Sequence, residues 1–195
     1  MCADEYSCVA GILLAGKVTE RGERMSEKLM SRIVCIVMAL FPALWGIFSF
    51  MNNVTDFNNT AVHVVGPLLA MSDTYDIPGQ MWRALDVSWM PYAGMAAITA
   101  VETLAGVFGF VGLVIMVRNV TGPCNAFIRG KAWAMLGATC AVLVWGVGFM
   151  VVAGDWFMAW QAKVNPLDTQ MGAMLYAVPN MLALVIMLLQ RDGGK

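Results

Sequence analysis

Long apolar stretches alternate with polar segments along this chain. Four of them cover residues 33–51, 90–117, 132–153 and 171–189. A helix needs about 20 apolar residues to cross roughly 30 Å of hydrocarbon, and each stretch approaches or exceeds that length. The first stretch has 19 residues and no charged side chain. The pattern therefore predicts four transmembrane helices.

The remaining segments are more polar. They are an N-terminal segment (1–32), two long loops (52–89 and 154–170), a short connector (118–131) and a tail (190–195). We expect the chain to be an all-α membrane protein with its transmembrane domain over residues 33–189. The predicted fold is a four-transmembrane-helix bundle with an ordered extracytoplasmic loop cap that contains short interfacial helices.

Composition supports a membrane protein. The chain has 195 residues, of which 59% are hydrophobic and 13% are charged. Soluble domains have roughly 45–50% apolar and about 25% charged residues, so a small soluble globule is excluded. The net charge of −1 excludes a basic nucleic-acid-binding protein. The bilayer is the first predicted partner.

The distribution of lysine and arginine predicts the orientation. Ten lie on one side of the four-span model: Lys17, Arg21, Arg24, Lys28, Arg32, Arg118, Arg129, Lys131, Arg191 and Lys195. Two, Arg83 and Lys163, lie on the other side. Because an excess of basic residues marks the cytoplasmic side, we expect both termini in the cytoplasm and both long loops outside.

The two outer loops hold most of the candidate functional residues. In the first loop, Val62, Val65 and Leu69 recur at helical spacing, which is typical of a short interfacial helix. The candidate polar cluster of the cap consists of Asn53, Asp56, His63, Asp73, Arg83, Asp155, Trp156, Trp160 and Gln161. We expect Asp56, His63 and Arg83 to lie near Asp155 and Trp156. The simpler alternatives are local turns for the polar residues and membrane-interface anchoring for the tryptophans.

A metal site in the cap would combine His63 with Asp56, Asp73 or Asp155. One histidine with scattered aspartates is an unspecific pattern, and a histidine that bonds a neighbouring loop explains His63 as well. The five cysteines show no metal-ligand spacing, and no motif for covalent haem attachment is present. No metal site and no cofactor is therefore predicted.

Glu102 and Asn180 are polar residues inside predicted spans. A carboxylate at mid-bilayer costs several kcal/mol, so it usually faces other helices and finds a hydrogen-bond partner. Thr99, Thr139, Tyr176 or Asn180 are the expected partners of Glu102. Its role is either interhelical hydrogen bonding or part of an ion or proton pathway, and a second buried charge for a relay is missing from the spans.

The outer segments carry a resemblance to a known family. The pattern NNVTDFNNTAVHVVGPLLAMSDT, then MWRALD, Glu102 and GDWFMAWQ resembles the bacterial predicted small integral membrane proteins. The likeness covers about residues 30–190, and members typically begin near Met25 or Met30. It implies four spans and a bacterial inner membrane, but no activity. Met71-Ser72-Asp73-Thr74 stands where Met-Asp-Thr is expected.

Three functional hypotheses follow. The leading one is a non-catalytic accessory or structural subunit of a larger bacterial membrane complex, because the chain is small and glycines spaced for helix contact occur in its second span. Such a subunit would bind other membrane-protein subunits or itself. The second is an outer-face module that binds a metal, haem or quinone, and the third is a small transporter or channel using Glu102. No catalytic constellation is recognisable, so an enzyme is not predicted.

Overall fold

The computed structural model describes residues 3–75, 77–162 and 168–191, with side chains from residue 25 onward except those of 168 and 169. The described residues contain helices and turns and no β-strand. The predicted all-α class is thus confirmed.

The described part of the chain contains six α-helices. They are α1 (Ala3–Thr55), α2 (Phe57–Thr60), α3 (Gly66–Ala70), α4 (Met90–Arg118), α5 (Cys124–Val142) and α6 (Asp168–Leu189). Wider π-type winding joins α2 to α3 over Ala61–Val65 and extends α5 over Leu143–Trp156. Single 3-10 turns occur at Met81–Arg83 and Ala159–Gln161.

Four of the described helices are long and apolar enough to cross a membrane. These are Met25–Thr55, Met90–Arg118, Cys124–Trp156 and Gln170–Leu189, with mean hydropathies of 2.3, 2.2, 2.1 and 2.0. Each includes one of the apolar stretches, and the predicted number of four long apolar helices is confirmed. The helices are longer than the stretches because polar residues at their ends still continue the backbone hydrogen-bond ladder.

Close helix packing depends on glycine. Gly46 of α1 lies directly against Gly106 of α4, so a side chain on either residue would clash with backbone atoms of the other helix. On its other face, α4 packs against α5, where a Cβ atom on Gly112 would lie 2.8 Å from the Cα of Ala134. Small residues let helix backbones approach in this way. The glycines of the second span therefore serve contacts within the chain.

Polar contacts join the helices at the connector end, where residues 118–124 lie. The Lys131 ammonium donates a hydrogen bond to the carbonyl oxygen of Gln190 over 2.6 Å. The Ser31 hydroxyl bonds the Gln190 side chain, and Lys28 contacts the Cys124 sulfur at 2.9 Å. These bonds fix α1, α5 and the end of α6 relative to one another.

At the opposite end, here called the loop end, part of the first long loop packs on helix α4. Ala61 and Val65 are buried against Met95 of α4. This apolar contact holds the wide turn between α2 and α3 on the first turns of α4. The segment that follows α1 therefore folds back over the helices.

Candidate functional site

The two loops contact each other at the loop end. The backbone nitrogen of Leu85 donates to the carbonyl oxygen of Leu69 over 2.8 Å, which closes the first loop on itself. Between the loops, the side-chain amide of Gln161 donates to Gln80 over 3.2 Å. Tyr75 and Trp160 pack edge to face, with their ring centroids 6.3 Å apart. Both polar and aromatic contacts therefore join the loops.

Two buried methionines form the apolar part of this contact. Met71 ends α3, Met158 follows the extended α5, and both have positive φ angles, of 52° and 56°. They pack in one cluster with Phe157. A left-handed conformation costs a residue other than glycine roughly 1–2 kcal/mol. Burial of the two side chains offsets that cost, since a buried methionine contributes about 1.5–3 kcal/mol.

Arg83 lies beside two tryptophans whose rings contact each other, with their centroids 5.5 Å apart. Its guanidinium carbon is 5.6 Å from the ring of Trp82 and 5.4 Å from the ring of Trp156. The same group donates long hydrogen bonds of 3.4 and 3.5 Å to the carbonyl oxygens of Asp155 and Trp156. Cation–π contacts of this kind contribute about 0.5–1 kcal/mol each at exposed sites. Arg83 therefore connects the first loop to the second.

Replacing Arg83 by alanine will loosen the loop contact and leave the helices intact. We expect the first loop, over residues 72–90, to be cleaved several times faster in limited proteolysis of the detergent-purified protein. The overall stability should fall by about 1 kcal/mol, the sum of weak contacts that are lost. Asp86→Ala, an exposed change in the same loop, is the matched control. An unchanged cleavage rate for Arg83→Ala would show that the arginine does not hold the loops together.

Of the other residues of the predicted cluster, Trp160 and Gln161 take part in the loop contact described above, whereas the three candidate ligands of the first loop lie outside the contacts that Arg83 makes. Asp56 accepts a hydrogen bond from Asn59 over 3.0 Å, and both side chains are exposed. His63 is exposed on the wide turn, and Asp73 is half-buried near the end of α3. In the described part of the chain, no group of three or more His, Cys, Asp or Glu side chains is placed to hold a metal ion. The structure therefore brings together Arg83, Asp155 and Trp156 and gives no support to a metal site with His63.

Glu102 is buried inside the helices, with 2% of its surface exposed. Its carboxylate accepts a hydrogen bond from the side-chain amide of Asn53, in the last turn of α1. Three of the four candidate partners donate hydrogen bonds to backbone carbonyls instead: Thr99 to Met95, Thr139 to Met135 and Asn180 to Tyr176. The expectation for the partner of Glu102 was therefore wrong.

A cavity adjoins Glu102 in the half of the helices nearest the loop end. Its volume is about 310 Å³, and we call it the Glu102 cavity. Every long helix contributes to its wall. The lining residues of α1, the segment 60–68 and α4 are Trp45, Ser49, Asn52, Asn53, Thr60, Val64, Val65, Leu68, Met95, Ile98 and Glu102. Those of the extended α5 and of α6 are Trp145, Phe149 and Tyr176.

Four of the lining rings form one cluster. Trp145 stacks on Phe149 at 4.5 Å between centroids, and its centroid lies 4.8 Å from that of Tyr176 and 5.6 Å from that of Trp45. The indole Nε1 of Trp145 is buried and has no hydrogen-bond partner among the residues that the structure describes. A buried donor without a partner costs about 1–3 kcal/mol. The cavity thus combines a polar wall around Glu102 with an aromatic wall around Trp145.

Comparison with known protein families identifies the family of this chain. Residues 31–190 match the model of the family described as Predicted small integral membrane protein (DUF2165). The chain belongs to this family. The resemblance noted in the sequence is confirmed, and the matched segment of this small integral membrane protein includes every residue that lines the Glu102 cavity. No curated protein and no solved structure matches the chain.

Sequence reasoning missed the aromatic wall in this family member. Trp45 and Trp145 lie inside apolar stretches, whereas tryptophan in membrane proteins is enriched at the two interfaces. Trp145 and Phe149 are also four residues apart, which places them on one face of a helix. A tryptophan far from either interface was thus the available signal for an internal aromatic cluster.

The arrangement is suited to holding a small molecule. Ligand pockets typically have volumes of about 300–1,000 Å³ and a mostly apolar lining with a few placed polar groups. The Glu102 cavity lies at the lower end of that range and has this kind of lining. The lining includes a carboxylate and an amide as well as aromatic rings, so an occupant with one polar group and an apolar body would suit both kinds of wall.

Proposed function

We propose that this small integral membrane protein binds a small molecule in the Glu102 cavity, with Glu102 as the polar anchor. The observation that carries the proposal is a buried carboxylate, bonded to Asn53, that lines a cavity rather than being packed on all sides. Ionisable residues inside a membrane are costly, and they commonly mark binding sites or pathways.

A purely structural role for Glu102 explains less. An interhelical hydrogen bond between Glu102 and Asn53 needs no cavity, and protein interiors are normally packed to the density of organic crystals. Here a cavity of about 310 Å³ adjoins the pair, and the indole nitrogen of Trp145 has no partner among the described residues. A bound ligand accounts for the open space, the carboxylate and the unpaired indole together.

The accessory-subunit hypothesis has less support from the helix packing. One of its arguments was the glycine face of the second span, and Gly106, Gly109 and Gly112 pack against α1 and α5 of the same chain. Native purification followed by mass spectrometry tests it directly, since a subunit brings a reproducible partner. The outer-face metal hypothesis lacks a group of ligands in the described residues.

We further propose that the protein lies in the bacterial inner membrane with both termini in the cytoplasm. The excess of basic residues at the connector end and in both terminal segments supports this orientation. The Glu102 cavity would then lie in the outer half of the membrane, below the two loops. Single-cysteine variants at Ser72 and Ser26, tested with a membrane-impermeant maleimide on intact cells, check the orientation, with labelling expected at position 72.

The binding site is tested by chemical modification of Glu102. Dicyclohexylcarbodiimide is an apolar reagent that modifies carboxyl groups within membranes, and we expect it to form an adduct on the peptide that contains Glu102. Glu102→Gln should lose the adduct, while Glu27→Gln, which changes an exposed carboxylate, should retain it. The measurement is peptide mass spectrometry on protein in membranes.

A cavity-filling variant tests whether the carbodiimide reaches Glu102 through the cavity or by another route. Ser49 lines the cavity, so Ser49→Leu should slow the labelling of Glu102 at least several-fold. Absence of an adduct on Glu102, or an unchanged rate in Ser49→Leu, would contradict the proposed site. Because an occupant shields the carboxylate, the labelling rate also serves as a binding assay for any small molecule.

A further inference from the structure

The lining of the Glu102 cavity carries a single type of charge. Among the described residues that line it, Glu102 is the acidic one, and no lysine, arginine or histidine is present. The remaining polar groups on this wall are the hydroxyls of Ser49 and Thr60 and the amides of Asn52 and Asn53. Because charges interact more strongly in a low-dielectric interior, the cavity disfavours anions and favours a cation next to Glu102.

The aromatic wall points to the same sign of charge. The faces of aromatic rings carry negative electrostatic potential, and a cation within about 6 Å of a ring centroid is attracted to it, most strongly by tryptophan. Trp45, Trp145 and Tyr176 line the cavity as one cluster, with centroids 4.8 to 5.7 Å apart. Aromatic clusters of this kind bind quaternary ammonium groups.

The rest of the described lining does not suit a divalent metal ion such as calcium or magnesium. Val64, Leu68 and Ile98 line the cavity beside the rings. A calcium ion takes six to eight oxygen ligands, and magnesium needs near-octahedral oxygen coordination. No group of three or more metal-ligating side chains occurs in the described residues, and Glu102 is the one carboxylate among those lining the cavity. Apolar side chains instead suit the carbon substituents of an organic ion.

We infer that the Glu102 cavity takes a monovalent organic cation, an ammonium ion with apolar or aromatic substituents. This inference rests on the proposed function, since it names the class of ligand for the same site. The ammonium nitrogen lies beside the Glu102 carboxylate, and its substituents contact the rings and the apolar side chains. A hydroxyl or ether oxygen on the ligand would additionally accept a hydrogen bond from the unpaired indole nitrogen of Trp145.

The test compares a cation with its uncharged isostere. Benzyltrimethylammonium and neopentylbenzene have the same shape, and the second carries carbon in place of the charged nitrogen. We expect benzyltrimethylammonium to slow carbodiimide labelling of Glu102 and to raise the unfolding midpoint of the purified protein. Its apparent affinity should exceed that of neopentylbenzene by about tenfold or more, which corresponds to roughly 1.4 kcal/mol.

Two variants identify the groups responsible. Glu102→Gln should remove the preference for the cation, read from unfolding midpoints, while Glu27→Gln preserves it. Trp145→Leu should weaken cation binding by about tenfold. Trp133→Leu, at a ring that packs on Phe108 outside the cavity, should leave it unchanged.

Other outcomes would contradict either the ammonium inference or the proposed function. If benzyltrimethylammonium and neopentylbenzene slow the labelling of Glu102 equally, the preference for a cation is refuted and the proposed binding site is retained. If duroquinone or sodium chloride slows the labelling and benzyltrimethylammonium does not, the ammonium inference is also refuted. The ligand would then be a quinone or an inorganic ion. If none of these probes slows the labelling and the carbodiimide still reaches Glu102 through the cavity, the ammonium inference is refuted and the proposed binding site is not. Absence of labelling at Glu102 defeats the proposed function itself.

Discussion

Gly109→Ala will destabilise the folded protein by about 3 kcal/mol or more, the upper range for overpacked cores. A Cβ atom on Gly109 would lie 2.6 Å from the backbone nitrogen of Ala43 and 2.9 Å from the carbonyl carbon of Pro42, both in α1. On the other face of α4, a Cβ atom on Gly137 of α5 would lie 2.6 Å from the nitrogen of Gly109. Helix α4 therefore cannot move away from α1 without pressing into α5.

The measurement is unfolding of the detergent-purified protein, followed by tryptophan fluorescence and by the fraction that elutes as a single species in size-exclusion chromatography. Gly172→Ala is the matched control, because a Cβ atom there would meet no other part of the described structure within 4 Å beyond its own helix backbone and chain neighbours. Alanine exceeds glycine in helix propensity by up to about 1 kcal/mol, so the control should be neutral or stabilising. Parent-like unfolding of Gly109→Ala would mean that α1, α4 and α5 are less closely packed than described.

The membrane-spanning helices could be predicted because the signal for them is local. A run of about 20 apolar residues is sufficient to indicate a helix in a bilayer, whatever its neighbours are. The residues at which the helices begin and end were harder to predict from the sequence. The third apolar stretch begins at residue 132, but α5 begins at Cys124, since the polar residues up to Lys131 continue the helix. Hydropathy reports apolar length, and the hydrogen-bond ladder decides where a helix ends.

The Glu102 cavity depends on how each helix is rotated about its axis, which a single sequence does not specify. Asn53 was assigned to a polar cluster after the end of the first helix. In the structure α1 continues to Thr55, so Asn53 is still helical and reaches Glu102. The two residues are 49 positions apart, and no periodicity links them. Their pairing follows from tertiary packing alone.

The packing glycines and the candidate site belong to one arrangement. Gly46 of α1 contacts the backbone of α4 at Gly106 and at the Glu102 carbonyl, which lies 2.7 Å from a Cβ atom built on Gly46. This contact sets the separation of the two helices one to two turns from the Glu102–Asn53 pair. A substitution that forces α1 away from α4 would therefore also break that hydrogen bond and open the Glu102 cavity.

The second large effect is expected at Arg32. In the sequence, this residue was only one of the ten basic residues that predict the cytoplasmic side. The structure buries it, with 2% of its surface exposed. Its guanidinium donates hydrogen bonds of 3.1, 3.0 and 2.8 Å to the carbonyl oxygens of Asn119, Val120 and Gly122. The guanidinium carbon also lies 4.7 Å from the ring centroid of Phe127. These carbonyls follow the end of α4, where the helix dipole favours a positive charge.

Arg32→Ala will therefore lower stability by about 3 kcal/mol, because three half-buried carbonyl groups lose a charged donor and a buried, packed side chain is removed. Arg32→Lys should fall between parent and alanine, since an ammonium keeps the charge but lacks the planar fork and its stacking on Phe127. Arg118→Ala, which removes an exposed cation at the same end of α4, is the matched control.

Unfolding midpoints give the global effect, and the rate of maleimide labelling at Cys124 reports on the neighbouring connector. The expected order of labelling rates is Arg32→Ala above Arg32→Lys above parent, and an alanine variant that matches the parent in both measurements would show that Arg32 does not hold the connector in place.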